Sequence, residues 1–282
     1  MSIEENVAVF LDTKKIVKSN KKLLTSVQKS NIEQKIISEN DKLEIANLKK
    51  YSENAKVVIS KKRTYEAASF YKGMKTVVHN FASALNPGGG VIRGANAQEE
   101  SLCRCSTLYF NLNTEKMLKE FYVPHRKLGN FINNDDIIFT PSVTVFKSDT
   151  IKPELLNENN WYYVDVITCA APNLRDNFYD MNNHIYGDNN SIDDMRLLEI
   201  HEKRLRRILD VAVSENEEVV ILGAFGCGAF MNEAKIVALA AKNVLKDYLK
   251  AFRYIEFAIF CNPKDDYNYR IFESILNPLT ET

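Results

Sequence analysis

From about residue 55 to its end the chain alternates short β-branched and aromatic runs with helical patterns, and this interleaving constrains the fold more than any other feature. Strand-like runs fall at Lys56–Ser60, Thr76–Phe81, Ile137–Thr140, Val143–Phe146, Tyr162–Cys169, Glu218–Ala224 and Tyr254–Cys261. Apolar residues at helical spacing mark Thr64–Lys72, Asn96–Leu112, Asp193–Val213, Asn232–Lys250 and Tyr267–Leu276. Strands interleaved with helices of this length predict an α/β sandwich. The runs flanking Thr140-Pro141-Ser142 read as a hairpin, so the sheet is expected to be mixed. Asp176–Asn190 is rich in Asn and Asp and reads as a long surface loop.

The first 50 residues differ in character. They are rich in Lys, Asn, Glu and Gln, with sparse apolar residues: Val9, Phe10 and Leu11 in one segment, then Ile32, Ile36, Ile37, Leu43, Ile45 and Leu48. The spacing predicts two helices packed on the main body, too weakly apolar to stand alone. The expected division is a helical extension over 1–50 and a main body over 51–282.

Charge excludes one class of partner. The chain carries 37 basic and 37 acidic side chains, for a net charge of zero, and bulk capture of nucleic acid needs a strongly basic surface. The cluster Lys203, Arg204, Arg206 and Arg207 reads as a solvated helix face. Five cysteines, with no C-x-x-C pair, indicate a reduced, cytoplasmic protein. The start, Met-Ser-Ile-Glu-Glu-Asn, lacks the apolar stretch of a secretion signal, and no apolar run reaches membrane-spanning length. A monomer is the default expectation.

The chemistry concentrates between Asn86 and Glu100. Thr76–Phe81 leads through Asn86 and Pro87 into Gly88, Gly89 and Gly90, and then into Gln98-Glu99-Glu100. Glycines just past a strand end let backbone N–H groups approach an anion. Asn96 is placed to cap the following helix, with Glu99 at its third position. Two acids in a first turn fit two accounts. They complement the helix dipole, or one holds ligand hydroxyls while the other moves a proton. The dipole lowers a carboxyl pKa, whereas a general acid needs it raised, so the expected acid is poised by a bound pyrophosphate.

A second glycine turn, Gly223-Ala224-Phe225-Gly226-Cys227-Gly228-Ala229-Phe230, stands between a strand and a helix, the general construction of a phosphate site. It lacks the Gly-Lys-Ser/Thr of a P-loop, and Met231 occupies the third glycine of a dinucleotide fingerprint. A tight structural turn explains such glycines equally well. Phe230 is either a stacking surface or a core residue. Thr168–Asn173 reads as a tight loop of small residues. His79, His125, His184 and His201 show no metal-ligand spacing, and His79 reads as a hydrogen-bonded core residue.

These loops resemble the microbial type of poly(ADP-ribose) glycohydrolase, a branch of the macro-domain superfamily. The resemblance is carried by Asn80–Gly90, by Gln98–Arg104 and by Gly223–Phe230. It extends more loosely over residues 50–282, and residues 1–50 are similar only in a general way. It implies a macro-domain-like three-layer sandwich with a mixed central sheet. By position, Glu100 would be the catalytic acid/base and Glu99 would hold ribose hydroxyls. Asn86, Gly88, Gly89 and Gly90 would line the distal ribose, and Gln98 would be among the substrate-binding residues. Gly226, Cys227, Gly228 and Ala229 would wrap the pyrophosphate, Cys227 through its backbone N–H, and Phe230 would pack on a ribose or adenine. The implied partner is ADP-ribose or its polymer, with ADP-ribosylated proteins allowed. No metal and no cofactor are implied.

Three function classes follow: a glycohydrolase, a module that binds ADP-ribose without cutting it, and a nicotinamide-dependent enzyme built on the late Gly-x-Gly. The intact acid pair favours the first, and turnover of labelled polymer or titration with NADH separates the others. Polymer, single ADP-ribose on protein and ADP-ribosylated nucleic acid present the same terminal group, so the sequence leaves these substrates open.

Overall fold

The computed structural model describes residues 1–45, 47–175, 192–262 and 265–280, with the backbone of two short strands between 175 and 192. The strands are β1 (Lys35–Ile37), β2 (Lys56–Ser60), β3 (Thr76–Phe81), β4 (Ile137–Val145), β5 (Tyr162–Cys169), β6 (Phe178–Tyr179), β7 (Ile185–Tyr186), β8 (Val219–Leu222) and β9 (Tyr254–Ala258). Seven form one sheet in the order β1-β4-β5-β3-β8-β9-β2. β4 is antiparallel to β1 and β5, and every other pair is parallel. The sheet is therefore mixed, as the sequence indicates. Apart from the antiparallel pairing of β6 with β7, the expected loop at 176–190 lies outside the described residues, as does His184.

The central strands bury both faces. Val77, Val220 and Leu222 face one core, with helices Asp194–Ser214, Ala234–Leu245 and Tyr267–Thr280. Val78, Val219 and Ile221 face the other, with helices Thr64–Ala68 and Gln98–Cys105 and with Phe10 of helix Ile3–Ser19. The two-residue period of a strand sends neighbours to opposite cores, which produces three layers.

Two sequence expectations need correction. Thr140-Pro141-Ser142 is not a hairpin turn. β4 runs through it, paired with β5 on both sides, and a register shift between Thr140 and Val143 accommodates Ser142 at φ 54°. A bulge absorbs the residue that cannot continue the ladder. The second N-terminal helix spans Lys21–Glu33, not the Ile32–Leu48 pattern. Ile36 and Ile37 belong to β1, opposite Ile138 and Ile137. An open sheet edge offers β-branched residues a better environment than a weak helix does.

The N-terminal helix is capped by Ser2 and Glu5 in a reciprocal box, and it buries Asn6, Phe10, Thr13 and Val17 along one face. Phe10 stands edge-on to Tyr109 at 4.8 Å. Thr13 donates to the Arg104 carbonyl at 2.5 Å, and Asn6 Nδ2 donates to the Gly94 carbonyl at 3.0 Å. This helix thus lies against the segment that leads to Glu99 and Glu100.

Candidate active site

β3 and β8 are parallel neighbours, yet the helix after β3 packs on one face and the helix after β8 on the other. Their outgoing loops diverge, and a crevice opens at the carboxyl ends of the strands. The crevice is a cleft of about 970 Å³. Of the residues expected to form the site, Asn86, Gly89, Gly90, Gln98, Glu99, Glu100, Gly226, Gly228, Ala229 and Phe230 line it. Gly88 and Cys227 do not. A Cβ on Gly88 would meet Tyr109 at 2.9 Å and Cys103 at 3.1 Å, so this glycine faces the core. The Cys227 N–H donates to the Ala224 carbonyl at 3.1 Å, and burial pushes its thiol pKa up.

The acid pair sits in the first turn of helix Gln98–Cys105, with Glu99 3% and Glu100 7% exposed. The cap is Ala97, not Asn96, which moves the third position to Glu100. Glu100 Oε2 accepts the Ala97 N–H at 2.9 Å and Oε1 accepts the Gly90 N–H at 2.8 Å. Asn96 Oδ1 instead accepts Arg104 Nη2 at 2.7 Å, while Arg104 Nη1 donates to the Ala95 carbonyl at 2.7 Å. Arg104, buried in the last turn of the helix, thereby fixes the approach to the acids. Nothing in the sequence marks this role, because it depends on the helix folding back over its own entry.

Glu99 points toward β3. Its Oε2 accepts the Ser83 N–H at 2.8 Å and its Oε1 accepts Asn80 Nδ2 at 3.3 Å. A Cβ on Gly89 would stand 2.4 Å from Glu100 Oε1 and 3.0 Å from Glu99 Oε2. Both carboxyls therefore close on the space that Gly89 leaves open. Burial, and after it the charge of Glu100, push the Glu99 carboxyl well above the usual range, against hydrogen bonds from Ser83, Asn80 and Gly88. Desolvation outweighs the helix N-terminus here, so the fold by itself already raises one of the two acids.

Gln98 is fully engaged by the protein. Its Oε1 accepts the Phe81 N–H at 2.9 Å, and its Nε2 donates to the His79 carbonyl at 2.8 Å and to Thr64 Oγ1 at 3.0 Å. The side chain seals the end of β3 like one more rung of the ladder.

On the opposite wall Gly226 has φ 78° and Met231 φ 60°. Among the described residues the backbone N–H groups of Gly226, Gly228, Ala229 and Phe230 have no hydrogen-bond partner. Unpaired donors grouped on one turn make an anion-binding concavity. The Arg175 guanidinium lies 5.4 Å from the Phe230 ring centroid and feels the Glu100 charge, so this wall faces the acids. At another part of the cleft the Arg63 guanidinium lies 4.0 Å from the Phe260 ring centroid, and Phe260 is 46% exposed. Sequence reading missed Arg63, Arg175 and Phe260, which come from three separate segments without a motif. It also misassigned Arg204, which is 2% exposed and donates to Asp135 Oδ1 at 2.8 Å and to the Ala170 carbonyl at 2.7 Å. His79 is buried, as expected, but its Nε2 has no partner among the described residues, and burial lowers its pKa to about 3. Those residues contain no group of three or more His, Cys, Asp or Glu side chains arranged for a metal ion. No described helix is long and apolar enough to cross a membrane.

A buried acid pair facing a wall of free N–H donors is suited to protonating a leaving oxygen beside a bound anion. The class so defined is a glycoside hydrolase of phosphate-bearing sugars. The model of the microbial-type PARG catalytic domain matches residues 4–148, just over half of the chain, and the chain belongs to that family of poly(ADP-ribose) glycohydrolases. The match begins within the first helix. The structure of poly(ADP-ribose) glycohydrolase from Thermomonospora curvata is similar over 96% of this chain and 99% of that chain, with a TM-score of 0.79 and 23% identity, which shows a shared fold. The Deinococcus radiodurans enzyme in complex with ADP-ribose is similar over 90% of this chain and 98% of that chain, with a TM-score of 0.74 and 26% identity. No significant match to a curated protein was found. Membership in a family of catalytic domains disfavours both the binding-only and the nicotinamide-dependent readings.

Proposed function

We propose that this chain, built on a macro-domain plan, hydrolyses the O-glycosidic ribose–ribose bond of poly(ADP-ribose) and releases ADP-ribose, with Glu100 as the acid/base. The observation that carries the assignment is the convergence of both carboxyls on Gly89, inside a cleft whose other wall presents unpaired N–H groups.

The substrate lies with its diphosphate on the Gly226–Phe230 turn and its distal ribose over Gly89 and Gly90. Phe230, beside Arg175 and the acids, packs on that ribose. Phe260, with Arg63 stacked on it, offers a flat face to the adenine. Glu99 holds ribose hydroxyls. Glu100 protonates the leaving oxygen at the anomeric carbon, and the ribose takes on oxocarbenium character steadied by the diphosphate. Water then attacks, and Glu100 takes its proton. Most glycosidases separate two carboxylates to divide these tasks. Here adjacent acids share one site, and a single one carries both proton transfers. Burial, and after it the neighbouring Glu100 charge, favour the protonated form of Glu99.

Hydrolysis of a mono-ADP-ribosylated protein or nucleic acid uses the same machinery, because only the leaving group differs. Incubating the protein with labelled polymer tests the proposal: released ADP-ribose supports it, and binding of ADP-ribose without release overturns it.

A further inference from the structure

Helix Asp194–Ser214 buries His201, which is 2% exposed, behind the wall of the cleft. Its Nε2 lies 2.8 Å from Asn232 Oδ1. Asn232 Nδ2 in turn faces three carbonyl oxygens: Pro172 at 2.7 Å, Phe230 at 3.1 Å and Gly226 at 3.2 Å. The Asn232 backbone N–H donates to Gly226 as well, at 3.0 Å. Carbonyl oxygens only accept, so the amide nitrogen must face them. Asn232 Oδ1 must then face His201, and His201 must carry its proton on Nε2.

We infer that His201 is a positioning residue for the reaction, acting through the Asn232 amide to hold the Gly226–Phe230 turn in its anion-binding shape. The inference rests on reading that turn as the pyrophosphate site. One amide grips both ends of the turn and ties it to Pro172 on the loop after β5. A Cβ on Gly226 would stand 2.8 Å from Asn232 Nδ2, so the turn is closed tightly on this side chain. Without the His201 donor, Oδ1 is left unpaired in a buried place and the amide loses its preferred orientation. Burial lowers the His201 pKa to about 4, so above that pH the ring is neutral and one tautomer persists. The ring also stands edge-on to Phe225 at 5.8 Å, so packing and hydrogen bonding can be separated by substitution.

The test compares His201→Phe, which keeps a ring against Phe225 and removes the donor, with His201→Gln, which keeps an N–H at similar reach. ADP-ribose affinity is read by calorimetry and polymer turnover by steady-state kinetics. His201→Phe is expected to raise both Kd and KM roughly tenfold while kcat stays within about threefold, as loss of uniform binding predicts, and His201→Gln to recover most of the loss. A His201→Phe variant that binds as tightly as the parent, or loses kcat at unchanged KM, overturns the positioning role. Should that variant not fold, 15N NMR of the unmodified protein decides: an Nε2–H tautomer from pH 5 to 8 supports the inference, and an Nδ1–H tautomer overturns it. A parent protein that fails to bind ADP-ribose removes the pyrophosphate reading itself, which is a different outcome from tight binding in both proteins.

Discussion

The Gly90 backbone N–H donates to Glu100 Oε1 at 2.8 Å, so the last residue of the triple glycine directly orients the second residue of the acid pair. Glu100 is held from two sides, since Ala97 occupies its other oxygen. The glycine loop and the carboxyl proposed as the acid/base are therefore joined by hydrogen bonds into one unit.

Glu100→Gln keeps an oxygen for Gly90 but has no proton to exchange. Polymer turnover is expected to fall about 10²–10⁴-fold, with ADP-ribose affinity changed only a few-fold. Turnover assays beside calorimetry check both halves, and activity within tenfold of the parent removes Glu100 from the mechanism.

Gly89→Ala places a methyl 2.4 Å from Glu100 Oε1, on a residue at φ 61°. It is expected to cost about 1–3 kcal/mol of stability and to abolish most turnover by displacing both carboxyls. Gly228 has ordinary φ, and a methyl added there would meet nothing within 4 Å, so Gly228→Ala is expected to leave the melting temperature unchanged. Equal melting temperatures for the two variants would contradict the close approach at Gly89.

The raised Glu99 carboxyl makes stability depend on pH with a definite sign. Between its ordinary value of 4.5 and its raised folded value, the folded state holds a proton that the unfolded state has released. Unfolding then releases a proton, so stability from this group falls as pH rises through that window. Glu99→Gln is expected to gain stability relative to the parent at neutral pH, with the gain shrinking toward pH 4. Thermal melts of both proteins across pH 4–8 measure this, and a difference that is flat with pH would refute the raised carboxyl.

Phe10 is 1% exposed and packs against Tyr109 beneath the acid-bearing helix. Phe10→Ala is expected to cost about 3–5 kcal/mol, as large-to-small core changes do. Denaturant unfolding reads the loss. A cost under 1 kcal/mol would mean that the N-terminal helix is an appendage and not part of the body.

Phe260→Ala removes the flat surface under Arg63. It is expected to weaken ADP-ribose binding by about 1–3 kcal/mol and to leave ribose 5-phosphate binding unaffected. Equal weakening of both ligands would place the adenine elsewhere.

Local pattern alone determined the layered α/β architecture, the acid pair and the two glycine turns. Strand and helix periodicities are written in consecutive residues, and Gly89 and Gly226 are needed where the backbone turns through positive φ. The sequence also carried the choice between a hydrolase and a binding module, because Glu99 and Glu100 stand together in it. What it left to the tertiary structure depends on distant segments meeting. Ile36 and Ile37 look helical until the edge of β4 is available to them. Arg204 looks like a solvated charge until Asp135 and the Ala170 carbonyl close around it. The largest cause of the upward shift of Glu99 has no local signature, since a helix start lowers a carboxyl and burial in the fold, with the Glu100 charge second, reverses that. Arg63, Arg175 and Phe260 reach one cleft from three loops, and a separation in sequence says nothing of such a meeting until the sheet order is fixed.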